Sequence, residues 1–369
     1  MSTKGNKINI NHKYFMTLAF KQARRILGNT RENPAVGCII VKNNALINLS
    51  HTGLHGRPHA EYIGLTKKNI NFNNSNLYST LEPCSHYGKT SPCTNIIKNK
   101  RLSSVYYSKS DPDIRSYKKA KKILSKDKIK VFEDTCKLQG DSFYKSFYMK
   151  ERTNNIYITS KLATSKDLFI SNKRKNKWIT NKYSRKRVHL LRANHDSILT
   201  TSKTVLSDNP LLNCRINGLN KYSPTRLIID KDLEIPITSR IFKSACKIDT
   251  YVFYNLIKEK KLRELKKLDV KTIKISLKKK HIDFKKIILF LRNKGFYRLF
   301  VEAGIRFNKF LLENNHINDF YHFYSEELFD KNGHKNASFL LQKMKKLMKD
   351  KKVIKVNLFQ DSLIRYSLK

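Results

Sequence analysis

The stretch Thr80-Leu81-Glu82-Pro83-Cys84-Ser85-His86-Tyr87-Gly88-Lys89-Thr90-Ser91-Pro92-Cys93, read with His59-Ala60-Glu61 upstream, decides how the first half of this chain is built. One histidine and two cysteines can hold a zinc ion through three ligands and leave a fourth position for water, while a glutamate beside that water carries its proton. The pattern is that of a hydrolytic site. Taken singly, His59 reads as a surface or core histidine, and each cysteine as a small buried hydrophobe. The joint occurrence carries the metal reading, with H-x-E ahead of a helical segment and Pro83-Cys84 closing the apolar run Leu77 to Leu81.

Outward from that stretch, 369 residues exceed what one core usually supports, so two domains are expected, 1–150 and 151–369. A hydrophobic fraction of 40% with 20 Phe and 18 Tyr supplies the cores and excludes global disorder. The net charge of +47, from 76 Lys+Arg against 29 Asp+Glu, raises nucleic acid as a partner. The lysines are spread along the whole length, however, and no arginine-rich or aromatic-interleaved patch stands out, so nucleic acid is disfavoured. Cysteines at 38, 84, 93, 136, 214 and 246 are too widely spaced for a disulfide framework. No run reaches the ~18 apolar residues of a membrane span, and the start carries no apolar core, so a cytoplasmic, reducing setting without membrane contact is expected.

Asn11 can cap a helix whose apolar positions Phe15, Leu18, Ala19, Ala23, Ile26 and Leu27 recur at helical steps, with Gly28 at its end. Val36 to Val41 predicts a strand, Asn43-Asn44 a hairpin turn, and Ala45 to Leu49 the returning strand. Pro58 suits the first turn of a helix carrying His59 and Glu61, and Pro83 a helix turn placing Cys84 at its positive end. Val105 to Tyr107 and Ile129 to Phe132 read as strands flanking a helix from Tyr117 to Leu124. Together these give a layered α/β domain.

Asn33-Pro34-Ala35-Val36-Gly37-Cys38, Gly56-Arg57-Pro58-His59-Ala60-Glu61 and the stretch from Thr80 to Cys93 resemble the bifunctional riboflavin-biosynthesis deaminase/reductase family. Zinc nucleobase deaminases generally show H-x-E followed by P-C-x-x-C. In the resembled family the second cysteine lies nine positions after the first, as Cys93 does after Cys84. The resemblance implies that His59, Cys84 and Cys93 bind Zn2+, that Glu61 shuttles protons, and that Asn33, His51 and Lys89 contact a small phosphorylated pyrimidine. It also implies an N-terminal cytidine deaminase-like three-layer fold. After Asp111-Pro112 the family usually continues with Asn-Pro and two glycines, and here the loop reads Asp113-Ile114-Arg115-Ser116-Tyr117-Lys118-Lys119-Ala120, which restricts its dihedrals.

From Ile156 the resemblance resumes along Lys161-Leu162-Ala163-Thr164-Ser165-Lys166-Asp167, Trp178-Ile179-Thr180, His189-Leu190-Leu191-Arg192-Ala193, the segment from Thr204 to Arg215, Pro224 to Asp230 and Val301-Glu302-Ala303-Gly304. It implies a dihydrofolate reductase-like domain using NADPH to reduce the opened ribose to a ribityl chain. Lys161, Asn176, Arg192, Leu212, Arg215 and Glu302 are expected to line the substrate pocket, with Arg192 and Arg215 as phosphate donors because a guanidinium bonds in a planar fork. Ala163, Trp178, Thr204 and Asp208 are expected to contact the cofactor. So is the segment Gly304, Ile305, Arg306, Phe307, Asn308, Lys309 and Phe310, where Gly304 opens a helix onto the pyrophosphate. For Trp178 the competing expectation is core packing.

Departures are heavier here: Leu168 replaces a glycine, 173–177 replaces a small-residue loop, and Ile305 to Lys309 replaces a segment usually richer in small residues. Three readings stand at this point: the bifunctional riboflavin enzyme, including a form whose reductase half has decayed; a basic polynucleotide deaminase; and a zinc-stabilised scaffold. The second predicts P-C-x-x-C and no reductase-like half, and the third gives no reason for Glu61. Oligomeric state is open, a homo-oligomer included.

Overall fold

Asn11 caps the first helix, α1 (His12–Ile26), its side chain accepting the Tyr14 N–H at 2.9 Å. The computed structural model describes residues 11–173, 178–278 and 281–368, and the chain divides into two units between Asn154 and Asn155. Strand β1 (Gly37–Lys42) returns as β2 (Ala45–His51) through Asn43 and Asn44, whose φ of 51° and 63° suit a type I′ turn. Next come α2 (Ala60–Leu65), β3 (Asn76–Ser79), α3 (Cys93–Asn99), β4 (Ser104–Tyr107), α4 (Ala120–Ser125) and β5 (Lys130–Phe132). The sheet order is β2-β1-β3-β4-β5, with β1 antiparallel to both neighbours and β3, β4 and β5 parallel.

Gly37 and Cys38 show how the layers stack. A Cβ on Gly37 would lie 1.9 Å from the Ala19 carbonyl oxygen, so only glycine lets α1 lie this close to the sheet. A Cβ on Gly64 in α2 would lie 2.8 Å from Ser50 Oγ and 3.6 Å from Cys38 Sγ. Adjacent strand residues point to opposite faces, so α1 covers one face of β1 and α2 the other. Met16, Ala19, Phe20, Ile39, Ile40, Leu77 and Val105 are buried in the resulting core. Apart from the smaller Ala19, each such side chain contributes about 1.5–3 kcal/mol. Helices α5 (Lys137–Phe143) and α6 (Lys145–Thr153) finish the unit, and the buried Tyr144 hydroxyl meets Thr80 Oγ1 at 2.6 Å.

Two boundaries differ from the sequence expectation. Helix α2 begins at Ala60, leaving His59 as its N-cap and Pro58 outside. No helix follows Pro83; the chain loops to Pro92, and α3 starts at Cys93. Cys84 still meets a helix start, because its sulfur accepts the Cys93 N–H at 3.2 Å.

In the second unit, the largest sheet among the described residues runs Lys271–Lys274, Thr250–Tyr254, Thr225–Ile229, Ser197–Thr201, Arg298–Glu302, Tyr157–Thr164, Asp319–Tyr324, Ser362–Ser367 and Asp350–Val353. Seven strands are parallel and the last two are added antiparallel. Central strands such as Arg298–Glu302 are buried on both faces, as an α/β sheet with helices on each side requires. The lysine-rich segment beyond Leu328 is part of this sheet. It supplies both antiparallel strands, and Asp361 accepts from Asn181 N–H at 2.9 Å and Ser184 Oγ at 2.6 Å, holding the start of helix Lys182–Ala193. Leu168 takes φ 68°, so the left-handed conformation suited to glycine persists there with a leucine side chain.

Candidate active sites

His59 presents its ring from the N-cap of α2, and Glu61 follows in the first turn, 3% exposed. Strand β3 delivers Ser79, whose hydroxyl donates to Glu61 Oε1 at 2.8 Å. The loop after it brings Cys84 against Cys93. His59 Nδ1 lies 3.3 Å from Cys93 Sγ and 3.5 Å from Cys84 Sγ, and the three donor atoms all lie within 4.8 Å of one another. A tetrahedral zinc with bonds of about 2.05 Å to nitrogen and 2.3 Å to sulfur sets an N···S edge of about 3.6 Å. The trio fits that ion. Glu61 Oε2 stands 3.6 Å from Cys93 Sγ, adjacent to the cluster.

The electrostatics agree with a thiolate site. Hydrogen bonding from Cys93 and His59, against the cost of burial, holds the Cys84 thiol down to about 4. The Cys84 sulfur and burial push Cys93 up, so without a cation the pair keeps one proton. Burial raises the Glu61 carboxyl above its ordinary value, and His59 opposes that rise. A buried carboxyl raised in this way suits proton transfer.

The departing loop after Asp111 is fastened from within. The buried Glu82 carboxylate accepts the backbone N–H groups of Asp111 at 3.1 Å, Lys118 at 3.0 Å and Ala120 at 3.0 Å. Ser116 Oγ accepts the Ser85 N–H at 3.0 Å and meets His86 Nδ1 at 2.8 Å, so the loop is tied to the residues after Cys84. Lys118 adopts φ 54°. Glu82 and Ser116 did not stand out in the sequence, since their role depends on contacts across about thirty positions.

Of the other expected contacts in this unit, Asn33 is half-buried against Gly56, His51 bonds the Thr52 carbonyl through Nδ1 at 2.8 Å, and Lys89 is exposed. Arg57 Nη1 donates to Thr90 Oγ1 at 2.8 Å, tying the His59 loop to the segment that carries Lys89.

The second unit holds a cleft of about 1900 Å³. Lys161, Arg192, Leu212, Arg215 and Glu302 line it, as do Ala163, Trp178, Thr204 and Asp208. Gly304 to Phe307, with Lys309 and Phe310, line it from helix Ile305–Glu313. Asn308 does not. It is fully buried, facing the sheet, where it accepts from Ser160 Oγ and donates to the Ala303 carbonyl at 2.9 Å. Asn176 lies outside the described residues. Trp178 is 56% exposed with the Arg185 guanidinium 4.6 Å over its ring, which rules out core packing.

Arg192 is buried and does not present an open fork. It donates Nε and Nη2 to Glu302 at 2.5 and 3.1 Å, and Nη1 to the Asn213 carbonyl at 2.9 Å. Lys161 Nζ adds a contact to Glu302 at 3.6 Å. Burial alone would raise the Glu302 carboxyl, but Arg192 and Lys161 outweigh it and bring it to about 2. Arg215 remains an exposed cation in the cleft. Leu212, buried at φ 51°, and the neighbouring His189 complete this corner. His189 lay in a matched segment, but only its neighbour Arg192 was singled out there.

Residues 9–109 match the cytidine and deoxycytidylate deaminase zinc-binding region, and residues 156–328 match the RibD C-terminal domain. The riboflavin biosynthesis protein RibD of Aquifex aeolicus is 31% identical over 295 residues, 80% of this chain and 81% of that protein. The chain belongs to the RibD family. RibD of Buchnera aphidicola is 30% identical over 367 residues, covering 92% of this chain and 97% of its own. The RibD-type deaminase/reductase of Thermotoga maritima superposes with a TM-score of 0.78 at 25% identity, over 97% of this chain and 99% of that one. As a RibD, the chain is a bifunctional enzyme of riboflavin biosynthesis, a deaminase joined to a reductase, with Zn2+ and NADPH as cofactors. The α/β fold expected for both halves is the RibD fold. No helix of the described residues is long and apolar enough to cross a membrane.

Proposed function

We propose that the first unit deaminates 2,5-diamino-6-(5-phosphoribosylamino)pyrimidin-4(3H)-one, and that the second reduces the deaminated product to 5-amino-6-(5-phosphoribitylamino)uracil. The Thermotoga protein carries the corresponding deaminase and reductase names. The observation that carries the reading is the His59, Cys84 and Cys93 trio with buried Glu61 beside it. His59, Cys84 and Cys93 hold the zinc. Bound there, zinc acts as a Lewis acid that makes water a nucleophile near neutral pH. Glu61 takes one proton from the attacking water and gives it to the ring nitrogen, while Ser79 fixes its carboxylate. It then takes the second from the resulting hydroxyl and gives it to the amine, which departs as ammonia as the carbonyl forms. Asn33, His51 and Lys89 orient the pyrimidine.

In the cleft, Lys161, Leu212, Arg215 and Glu302 receive the phosphorylated sugar, and Arg192 holds Glu302 in place. Ala163, Trp178, Thr204, Asp208 and the stretch from Gly304 to Phe310 that faces the cleft receive the dinucleotide, which supplies hydride when bound. A Cβ on Gly304 meets nothing within 4 Å, so the helix start opens onto free space suited to a pyrophosphate. Glu61→Gln tests the assignment: deamination collapses while zinc content is kept. Retained deamination contradicts it.

A further inference from the structure

His189 sits on helix Lys182–Ala193 in the cleft wall, 9% exposed. Its Nδ1 lies 2.9 Å from the Asn213 carbonyl oxygen, and because a carbonyl only accepts, this shortest contact assigns the ring hydrogen to Nδ1. The Arg215 N–H at 3.3 Å and Arg192 Nη1 at 3.4 Å are longer approaches to a nitrogen already carrying its hydrogen. Nε2 is then a bare acceptor, with no hydrogen-bond partner among the described residues. Burial, with Arg192 and Arg215 alongside, holds the ring down to about 4, which keeps it neutral in the working range.

The surroundings make that acceptor distinctive. Lys161, Arg192 and Arg215 have hydrogens to give and no lone pair to offer. Both Glu302 oxygens already accept, Oε1 from Arg192 Nε and Oε2 from Arg192 Nη2, with Lys161 close to Oε2. Among these described side chains, His189 Nε2 is thus the acceptor that makes no hydrogen bond at all, wholly free to take a hydroxyl hydrogen. We infer that His189 Nε2 accepts a hydroxyl of the substrate's sugar chain and so makes His189 a specificity-determining residue of the reductase.

The inference rests on the reductase reading, and two substitutions separate the ring's two nitrogens. In His189→Asn the amide NH2 stands near Nδ1 and keeps the bond to Asn213, but the acceptor is gone. In His189→Gln the amide oxygen stands near Nε2 and the Asn213 bond is lost. The measurements are KM and calorimetric Kd for the deaminated phosphoribosyl substrate, Kd for NADPH, and Tm. Expected is a rise of about fivefold or more in both substrate constants for His189→Asn. His189→Gln stays closer to wild type, and NADPH affinity and Tm are unchanged in His189→Asn. Wild-type constants in His189→Asn, equal losses in the two variants, or a parallel loss of NADPH affinity overturn the inference. Wild-type protein that binds the substrate without reducing it contradicts the reductase reading instead and leaves the binding comparison intact.

Discussion

Glu302 and Arg192 form a two-contact buried ion pair, Nε to Oε1 at 2.5 Å and Nη2 to Oε2 at 3.1 Å, on the wall of the reductase cleft. The pair orients a carboxylate that strand Arg298–Glu302 delivers to the end of the sheet. It also takes two of the five N–H donors of an arginine whose sequence context suggested phosphate binding, and the Asn213 carbonyl takes a third. Glu302→Gln leaves the buried guanidinium uncompensated and lowers stability by about 3 kcal/mol at pH 7. The Glu302 carboxyl is depressed from 4.5 to about 2, so its ionic contribution is fully present above pH 4.5 and fades as pH falls through 2. Thermal melts from pH 7 to 2 check this, and the gap between wild type and variant narrows below pH 4.5.

The Ser79 hydroxyl fixes one oxygen of Glu61, and removing it frees the carboxylate to turn. Ser79→Ala lowers kcat for deamination about tenfold, the worth of a hydrogen bond to a charged group, while zinc content stays at one per chain. Steady-state kinetics with metal analysis check this.

The proposed zinc ligands His59, Cys84 and Cys93 all lie in the first unit, so chelation is expected to act on that unit's reaction alone. Deamination stops, and NADPH oxidation with pre-deaminated substrate continues. Loss of both activities contradicts the separation of the two sites.

Lys118 sits exposed at φ 54°, where a left-handed conformation costs a side-chain-bearing residue about 1–2 kcal/mol. Lys118→Gly raises stability by about 0.5–1 kcal/mol, part of the relief being lost to the freer unfolded chain. Denaturant titration measures it. At Leu168 the same relief is offset, because that side chain is partly buried against the core.

Much of this was legible in the sequence where the signal is local. Asn11, Gly28 and the helical spacing between them define α1, and Asn43-Asn44 fixes the hairpin. The histidine and cysteines of the zinc trio stand out because metal chemistry permits few residue types. What the sequence hid depends on partners far along the chain. Nothing near Arg192 announces Glu302, and nothing near Asp111 announces the three N–H groups converging on Glu82. Cys84 was expected at a helix start following Pro83. Its sulfur does meet a helix start, but one that begins at Cys93, because the intervening residues form a loop.

Arg306 lines the cleft at the second position of helix Ile305–Glu313, in a segment the family usually fills with small residues. We propose that it pairs there with a cofactor phosphate and so compensates for the altered segment. Arg306→Ala raises KM for NADPH several-fold with kcat for reduction held, and an unchanged KM removes the role.

The central claim is that one chain carries both reactions in sequence. Zinc-loaded protein incubated with the diaminopyrimidine ribosyl phosphate, with and without NADPH, tests it by product mass. The account predicts the deaminated product alone without NADPH, and the deaminated product with two added hydrogens when NADPH is present. Unreduced product under both conditions, or unchanged substrate, contradicts it.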